Sequence, residues 1–301
     1  MTTSTVAHRI LEGAPRMRTH RTLAATAALT LALAGATLAA PTAAQATTAT
    51  TATTASVTHE DGELWFRAAP GQRNELTVRE KIEDRGEFES YYVLTFHDRY
   101  DITIDASAAS TDECAYPTPG DRTTVRCAVL IPQNSDDSDS YDISLGDLDD
   151  TATLEPESHA WAGVYGGQGN DVLRASASAM LYGEEGDDRL DGGGGPFGFG
   201  SDGGPGDDIL TRCGQDCFGG PGNDALTGTD EDNTLHGDDG DDVLRGGGGA
   251  DVLYGGRDDD QLHGEAGNDT LWGNSGDDVL WGGQGTDKLS GGPGRNELHQ
   301  D

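Results

Sequence analysis

The sequence predicts an all-β protein, a solenoid of stacked short strands preceded by a small β-rich region. Three observations carry that expectation. Glycine and aspartate recur with a period of nine, as in GDDGDDVLR at Gly237, GGGGADVLY at Gly246, GGRDDDQLH at Gly255, GEAGNDTLW at Gly264, GNSGDDVLW at Gly273 and GGQGTDKLS at Gly282. Leucine fills the eighth place of each of the nine consecutive units between Gly219 and His299. Upstream, runs such as ELWFRA, NELTVRE, SYYVLTF, DITIDA, VRCAVLI and YDISL are short, alternating and rich in β-branched and aromatic residues, with Gly, Pro, Asp or Asn between them.

Charge narrows the choice of partners. Of the 301 residues only 34% are hydrophobic, and the formal net charge is −35. Such self-repulsion opposes a conventional core and makes nucleic acid or an anionic membrane a poor partner, leaving cations as the natural ones. The chain is expected to be a monomer.

Residues 1–46 read as a signal peptide. Basic Arg16, Arg18, His20 and Arg21 precede the small, apolar run from Thr22 to Ala40, and Ala44-Gln45-Ala46 supplies a small-x-small cleavage site. A transmembrane anchor is the competing reading, but the run is rich in Ala and Thr and no second hydrophobic span follows. The expected product is secreted and extracellular, without a membrane span. Residues 47–56, TTATTATTAS, form a Thr/Ala-rich linker with nothing to pack.

Residues 57–154 form the β-rich N-terminal region, in which Trp65, Phe66, Tyr91, Tyr92 and Phe96 are expected to pack rather than to bind. Within it LGDLDDTATL, Leu145 to Leu154, already resembles a worn version of the later unit. The four cysteines of an exported chain suggest two disulfides, Cys114 with Cys127 and Cys213 with Cys217, from their closeness in sequence. Four thiolates on a metal are the alternative, disfavoured by the lack of a CxxC pair.

Residues 155–301 form the solenoid, clean over 219–299 and interrupted over 166–218. In the clean units the sixth position holds Asp224, Asn233, Asp242, Asp251, Asp260, Asp269, Asp278, Asp287 and Asn296; upstream units at Gly166, Gly183 and Gly203 carry Asp171, Asp188 and Asp208. The units match G-G-x-G-x-D-x-U-x, and on these residues the chain resembles the hemolysin-type, or repeats-in-toxin (RTX), calcium-binding family. That resemblance covers 166–299 well and the N-terminal half poorly. It implies a right-handed parallel β-roll that binds multiple Ca2+ ions through its sixth-position aspartates. Toxin-like relatives usually leave the cell by a signal after the repeats, whereas here the last unit is followed by Asp301 and the export signal is N-terminal. The layout is thus similar to exported proteins of actinobacterial type, and lytic activity is not expected.

The residues supply a physical reason for the spacing. Glycine lets the first four positions turn sharply and aim carbonyls at one point, and aspartate adds a hard carboxylate. The next three residues make a strand whose leucine points inward. Two units make one coil, so residue i stacks on i+18 at roughly 4.8 Å. Two carboxylates at that distance repel by about 0.9 kcal/mol even at the dielectric of water, and a divalent ion reverses the sign. Oxygen-only ligation favours calcium over zinc or magnesium.

The intervals between Asp171, Asp188, Asp208 and Asp224 are near eighteen, so each hides a degenerate half-coil. ASASAMLY offers Leu181 inward, GGGGPFGFGSD offers Phe199, and RCGQDCF is a shortened turn clipped by the second disulfide. Two unequal columns follow: a long one through Asp171, Asp188, Asp208, Asp224, Asp242, Asp260 and Asp278, and a short one through Asp251, Asp269 and Asp287. Asn233 and Asn296 stand at column ends, where sites are weak or empty. The alternative is that the upstream units are spacers without an ion. Position nine forms outward files, His236, Tyr254 and Trp272 on one sheet and His263, Trp281 and His299 on the other. They read as cross-strand packing, with a carbohydrate or cell-surface partner as the alternative.

No enzyme is expected. His59-Glu60 begins no HExxH helix, and Ser201 lies among glycines without the GxSxG spacing. The function expected is a secreted calcium-binding structural or interaction module. The alternative is a secreted hydrolase or toxin-like protein with its activity in residues 57–154 and the repeats as a folding aid.

Overall fold

The computed structural model describes residues 54–300, apart from 87–88, 132–138, 156–158, 176–178, 193–199 and 215. The expected leader, most of the linker and Phe199 lie outside the described residues. The described chain is mostly strand with almost no helix and forms a β-solenoid of about eight turns.

The solenoid starts well before the clean repeats. Strands β1 (Ala55–Glu60), β2 (Glu63–Arg67), β3 (Glu75–Asp84), β4 (Ser90–His97) and β5 (Ile102–Ile104) come first. Helix α1 (Ala106–Thr111), β6 (Thr124–Leu130), β7 (Asp139–Asp147), β8 (Thr151–Leu154), β9 (Trp161–Gln168) and β10 (Val172–Arg174) follow. β2 runs parallel to β7 and β7 to β9, while β3 runs parallel to β8 and β8 to β10. Each of β2–β3, β7–β8 and β9–β10 is therefore one coil, and residues 57–154 share one sheet with the whole array and a second with the interrupted repeats.

The register exposes hidden units. Gly146 pairs with Gly167 and Ala152 with Leu173, so Leu145–Thr153 is a nonapeptide with Asp150 in sixth place. Leu76 pairs with Ala152, which makes Ala69–Thr77 another, with Asn74 in sixth place. The chain between these two units, together with β1 before them, closes the end of the solenoid. β4 and β6 extend one sheet antiparallel, β1 and β5 extend the other, and α1 packs on β1. Asp105 caps α1 by accepting the Ser107 N–H at 2.8 Å.

Inside the roll one leucine per half-coil makes the core. In the clean array Leu226, Leu244, Leu262, Leu280 and Leu298 stack at intervals of eighteen on one sheet, and Leu235, Leu253, Leu271 and Leu289 on the other. From Leu226 to Leu280 these side chains are fully buried, as is Leu181 of the interrupted region. Each contributes about 1.5–3 kcal/mol of burial. The core is continuous from Ala55 to Leu280.

Cys114 and Cys127 lie at disulfide distance and tie the segment after α1 to β6. The second expected pair is corrected: Cys213 and Cys217 are buried free thiols. Cys217 occupies a leucine position, in register with Leu235, and its sulfur faces the Ser201 N–H at 3.4 Å. The short turn is held by the Cys213 N–H donating to the Thr227 carbonyl at 3.0 Å and by the Asn233 amide, whose Nδ2 donates to the Cys213 carbonyl at 3.2 Å.

Candidate metal centre

Each unit folds so that its sixth-position side chain turns back under the glycine turn. Asp171, Asp188, Asp208, Asp224, Asp242, Asp251, Asp260, Asp269 and Asp278 are all at most 2% exposed, while Asp287 is half-buried in the last coil. One carboxylate oxygen of each accepts the backbone N–H of the sixth residue one coil earlier. In the long column the N–H of Asp171 donates to Asp188 Oδ1 at 2.7 Å, and the link repeats through Asp208, Asp224, Asp242 and Asp260 to Asp278 at 2.7–3.1 Å. In the short column Asp251 donates to Asp269 at 2.9 Å and Asp269 to Asp287 at 3.0 Å.

The two columns contain the aspartates expected from the sequence; the long one runs further at its N-terminal end, and Asn296 stands at its other end. Asn74 donates to Asp150 Oδ1 at 2.6 Å, Asp150 to Asp171 Oδ1 at 2.7 Å, and Asp278 to Asn296 Oδ1 at 2.8 Å. Asp150 escaped a consensus reading because Leu145, Leu148 and Ala152 replace the usual glycines and leucine of its unit. The worn repeat at LGDLDDTATL was its available signal.

The second oxygen is the informative one. Oδ2 of Asp150, Asp171, Asp188, Asp208, Asp224, Asp242, Asp251, Asp260, Asp269, Asp278 and Asp287 is buried without a hydrogen-bond partner. A buried carboxylate oxygen with no donor is costly. Burial, followed by neighbouring carboxylates, pushes Asp171, Asp208, Asp224, Asp242 and Asp251 up to about 7 and Asp260 to about 8, outweighing the backbone hydrogen bonds. Asp150 rises to about 7 and Asp188 to about 6 for the same first reason. The arginines serve other carboxylates, in exposed pairs such as Arg73–Asp149, Arg212–Asp191, Arg257–Asp239 and Arg295–Asp277.

Glycine at position one leaves room beside that oxygen. A Cβ on Gly166 would sit against Asp171 Oδ2 and 2.7 Å from the Gly183 carbonyl oxygen; one on Gly264 would sit 2.5 Å from both Asp269 Oδ2 and the Gly282 carbonyl. A carboxylate oxygen and the first-position carbonyl of the next coil thus share one cradle. Among the described residues no three His, Cys, Asp or Glu side chains converge, so the donor set is one of carboxylate and carbonyl oxygens. Hard oxygen ligands with adaptable number suit calcium. The residues fit the ion: Asp Oδ2 and the first-position carbonyls would hold it, and its charge would replace the missing donors.

A second file, unmarked in the consensus, lies outside the first. The side chains at position five accept the N–H of the residue one coil later, as in Asp207 to Asn223 at 2.8 Å, Asn223 to Asp241 at 2.9 Å, Asp241 to Asp259 at 3.0 Å and Asp259 to Asp277 at 2.7 Å. Its direction is opposite to that of the inner columns. The recurring Asn-Asp and Asp-Asp pairs in fifth and sixth place were its sequence signal.

The outward rings stack on one another. Phe218, His236 and Tyr254 have centroids 4.7 and 4.8 Å apart, and His263 and Trp281 4.3 Å apart, with planes within 14°. Ring faces are turned toward their neighbours, which is the packing reading of these files.

Fold and columns together define a repeat solenoid that presents files of buried carboxylates to hard cations. Residues 164–179, 180–196, 218–253, 237–271 and 263–298 match the family described as RTX calcium-binding nonapeptide repeat (4 copies), so the chain carries this repeat over 164–196 and 218–298. No curated protein matches the chain.

Proposed function

We propose that this chain is a secreted, non-catalytic and monomeric calcium-dependent structural module, whose roll closes around several calcium ions outside the cell. The observation that carries the reading is the row of buried Oδ2 atoms without donors, repeated coil after coil. A chain of net charge −35 with this interior is expanded when metal-free and condenses when cations tie each coil to the next. Extracellular modules bind calcium in the range of about 10⁻⁴–10⁻³ M, which would keep the roll open inside the cell and close it after export. Secretion is supported by the basic and apolar leader of residues 1–46, and by cysteines placed at disulfide distance. The packing of residues 57–154 into the first coils supports a capping role for that region rather than a catalytic one. Calorimetric titration of the metal-stripped full chain with calcium and with magnesium tests the reading. Several calcium ions bound per chain, with magnesium ineffective at equal concentration, is the result expected; no heat of calcium binding would sink it.

A further inference from the structure

Asn233 stands in sixth place of its unit, where most units hold aspartate, and it heads the short column. The coil before it is shortened: Asp208 and Asp224 are 16 residues apart, against 18 for Asp224 and Asp242. That shortening changes what the preceding turn offers. Each column aspartate meets a backbone N–H on the side of the coil before it, whereas Asn233 meets carbonyls.

Its Nδ2 lies 3.2 Å from the Cys213 oxygen, 2.5 Å from the Gly214 oxygen and 3.3 Å from Thr229 Oγ1. Its Oδ1 accepts the Thr229 N–H at 2.7 Å, which fixes which end of the amide is which. Asn233 is 3% exposed and, unlike the column aspartates, leaves no side-chain atom without a partner. We infer that Asn233 closes the head of the short column without a cation: its Oδ1 stands beside the Gly246 carbonyl, where the column aspartates hold Oδ2, but has the Thr229 N–H as its donor, while its Nδ2 ties the column to the Cys213 and Gly214 carbonyls of the shortened turn. This rests on the calcium reading of the columns and adds what limits them: an amide ends the metal row. Asn74 heads the long column differently: its Nδ2 lies 3.3 Å from the Gln72 carbonyl and 3.4 Å from that of Leu145, and its Oδ1 is buried without a partner.

Asn233→Asp would set a carboxylate oxygen against the Cys213 and Gly214 carbonyls, an arrangement that a calcium ion relieves. Asn233→Ala would remove the donor without adding a ligand. Equilibrium dialysis with radioactive calcium counts the ions bound to the full-length wild type and both variants, and circular dichroism gives the calcium concentration at half-folding. The Asp variant is expected to bind one more calcium per chain than the wild type. The Ala variant is expected to bind the wild-type number and to need about three- to tenfold more calcium to fold, since two buried carbonyls lose their donor. An unchanged count in Asn233→Asp, its failure to fold at saturating calcium, or a wild-type midpoint in Asn233→Ala overturns the inference. A wild type that binds no calcium overturns the calcium reading itself, so the two failures are told apart.

Discussion

Asp260 sits in the middle of the long column, and its Oδ2 is buried without a donor. Asp260→Asn keeps the side chain's size and removes one ligand charge, so the calcium needed for half-folding should rise about three- to tenfold, since ligand charge tunes affinity in such sites. Far-UV circular dichroism during a calcium titration reads this, and an unmoved midpoint would contradict it. Acid should act with the opposite sign on the metal-free chain. Burial raises the folded Asp171, Asp224 and Asp242 to about 7 from an ordinary 3.8, so folding takes up protons. Their contribution to stability is fully present below 3.8 and is lost as pH rises through about 7. In chelator the chain should therefore resist urea better at pH 5 than at pH 8. With calcium present the midpoint should move to higher calcium as pH falls, because protons compete for the same oxygens. Ten of these aspartates were legible in the sequence from spacing alone. Asp150 and the role of Asn233 were not, because each depends on a neighbouring coil whose sequence has left the consensus.

Within a coil the turn sets the limits. Gly285 has φ +148°, and a Cβ there would lie 2.7 Å from the Gly267 carbonyl carbon of the coil beneath, so no side chain fits. Glu265, by contrast, holds φ +72° at a second position where glycine is usual. A non-glycine residue in that region costs on the order of 1 kcal/mol. Glu265→Gly should raise the stability of the calcium-loaded roll by about 0.5–1 kcal/mol in a denaturant titration, and a loss of stability would contradict the turn geometry. On the strand side, Leu262 is fully buried between Leu244 and Leu280. Leu262→Ala should cost about 2–5 kcal/mol in the same measurement, since a narrow core collapses poorly around a cavity. The strands of the clean array were readable because one leucine in nine marks them. The clipped turn around Cys213 was not, since closeness in sequence suggested a bond between two sulfurs that the fold uses as small apolar side chains.

Across the whole molecule the solenoid begins in a region whose sequence reads only as β-rich. Ala69–Thr77 and Leu145–Thr153 are units stacked directly on one another although matching positions lie 76 residues apart in sequence, and the segment inserted between them caps the sheets. A period-of-nine reading does not detect two units parted in this way, whereas the parallel register of β3 with β8 does. The cap matters energetically, because a stack of coils gains from each neighbour and an unprotected end exposes the core. The central claim is that calcium folds this stack by supplying the charge its carboxylate columns lack. It is tested most directly by far-UV circular dichroism of the full chain during calcium and magnesium titrations, beside a variant carrying Asp251→Asn, Asp269→Asn and Asp287→Asn. The result expected is a cooperative gain of β signal with calcium alone, shifted to higher calcium in the triple variant. A spectrum already folded in chelator at neutral pH and indifferent to calcium would contradict it.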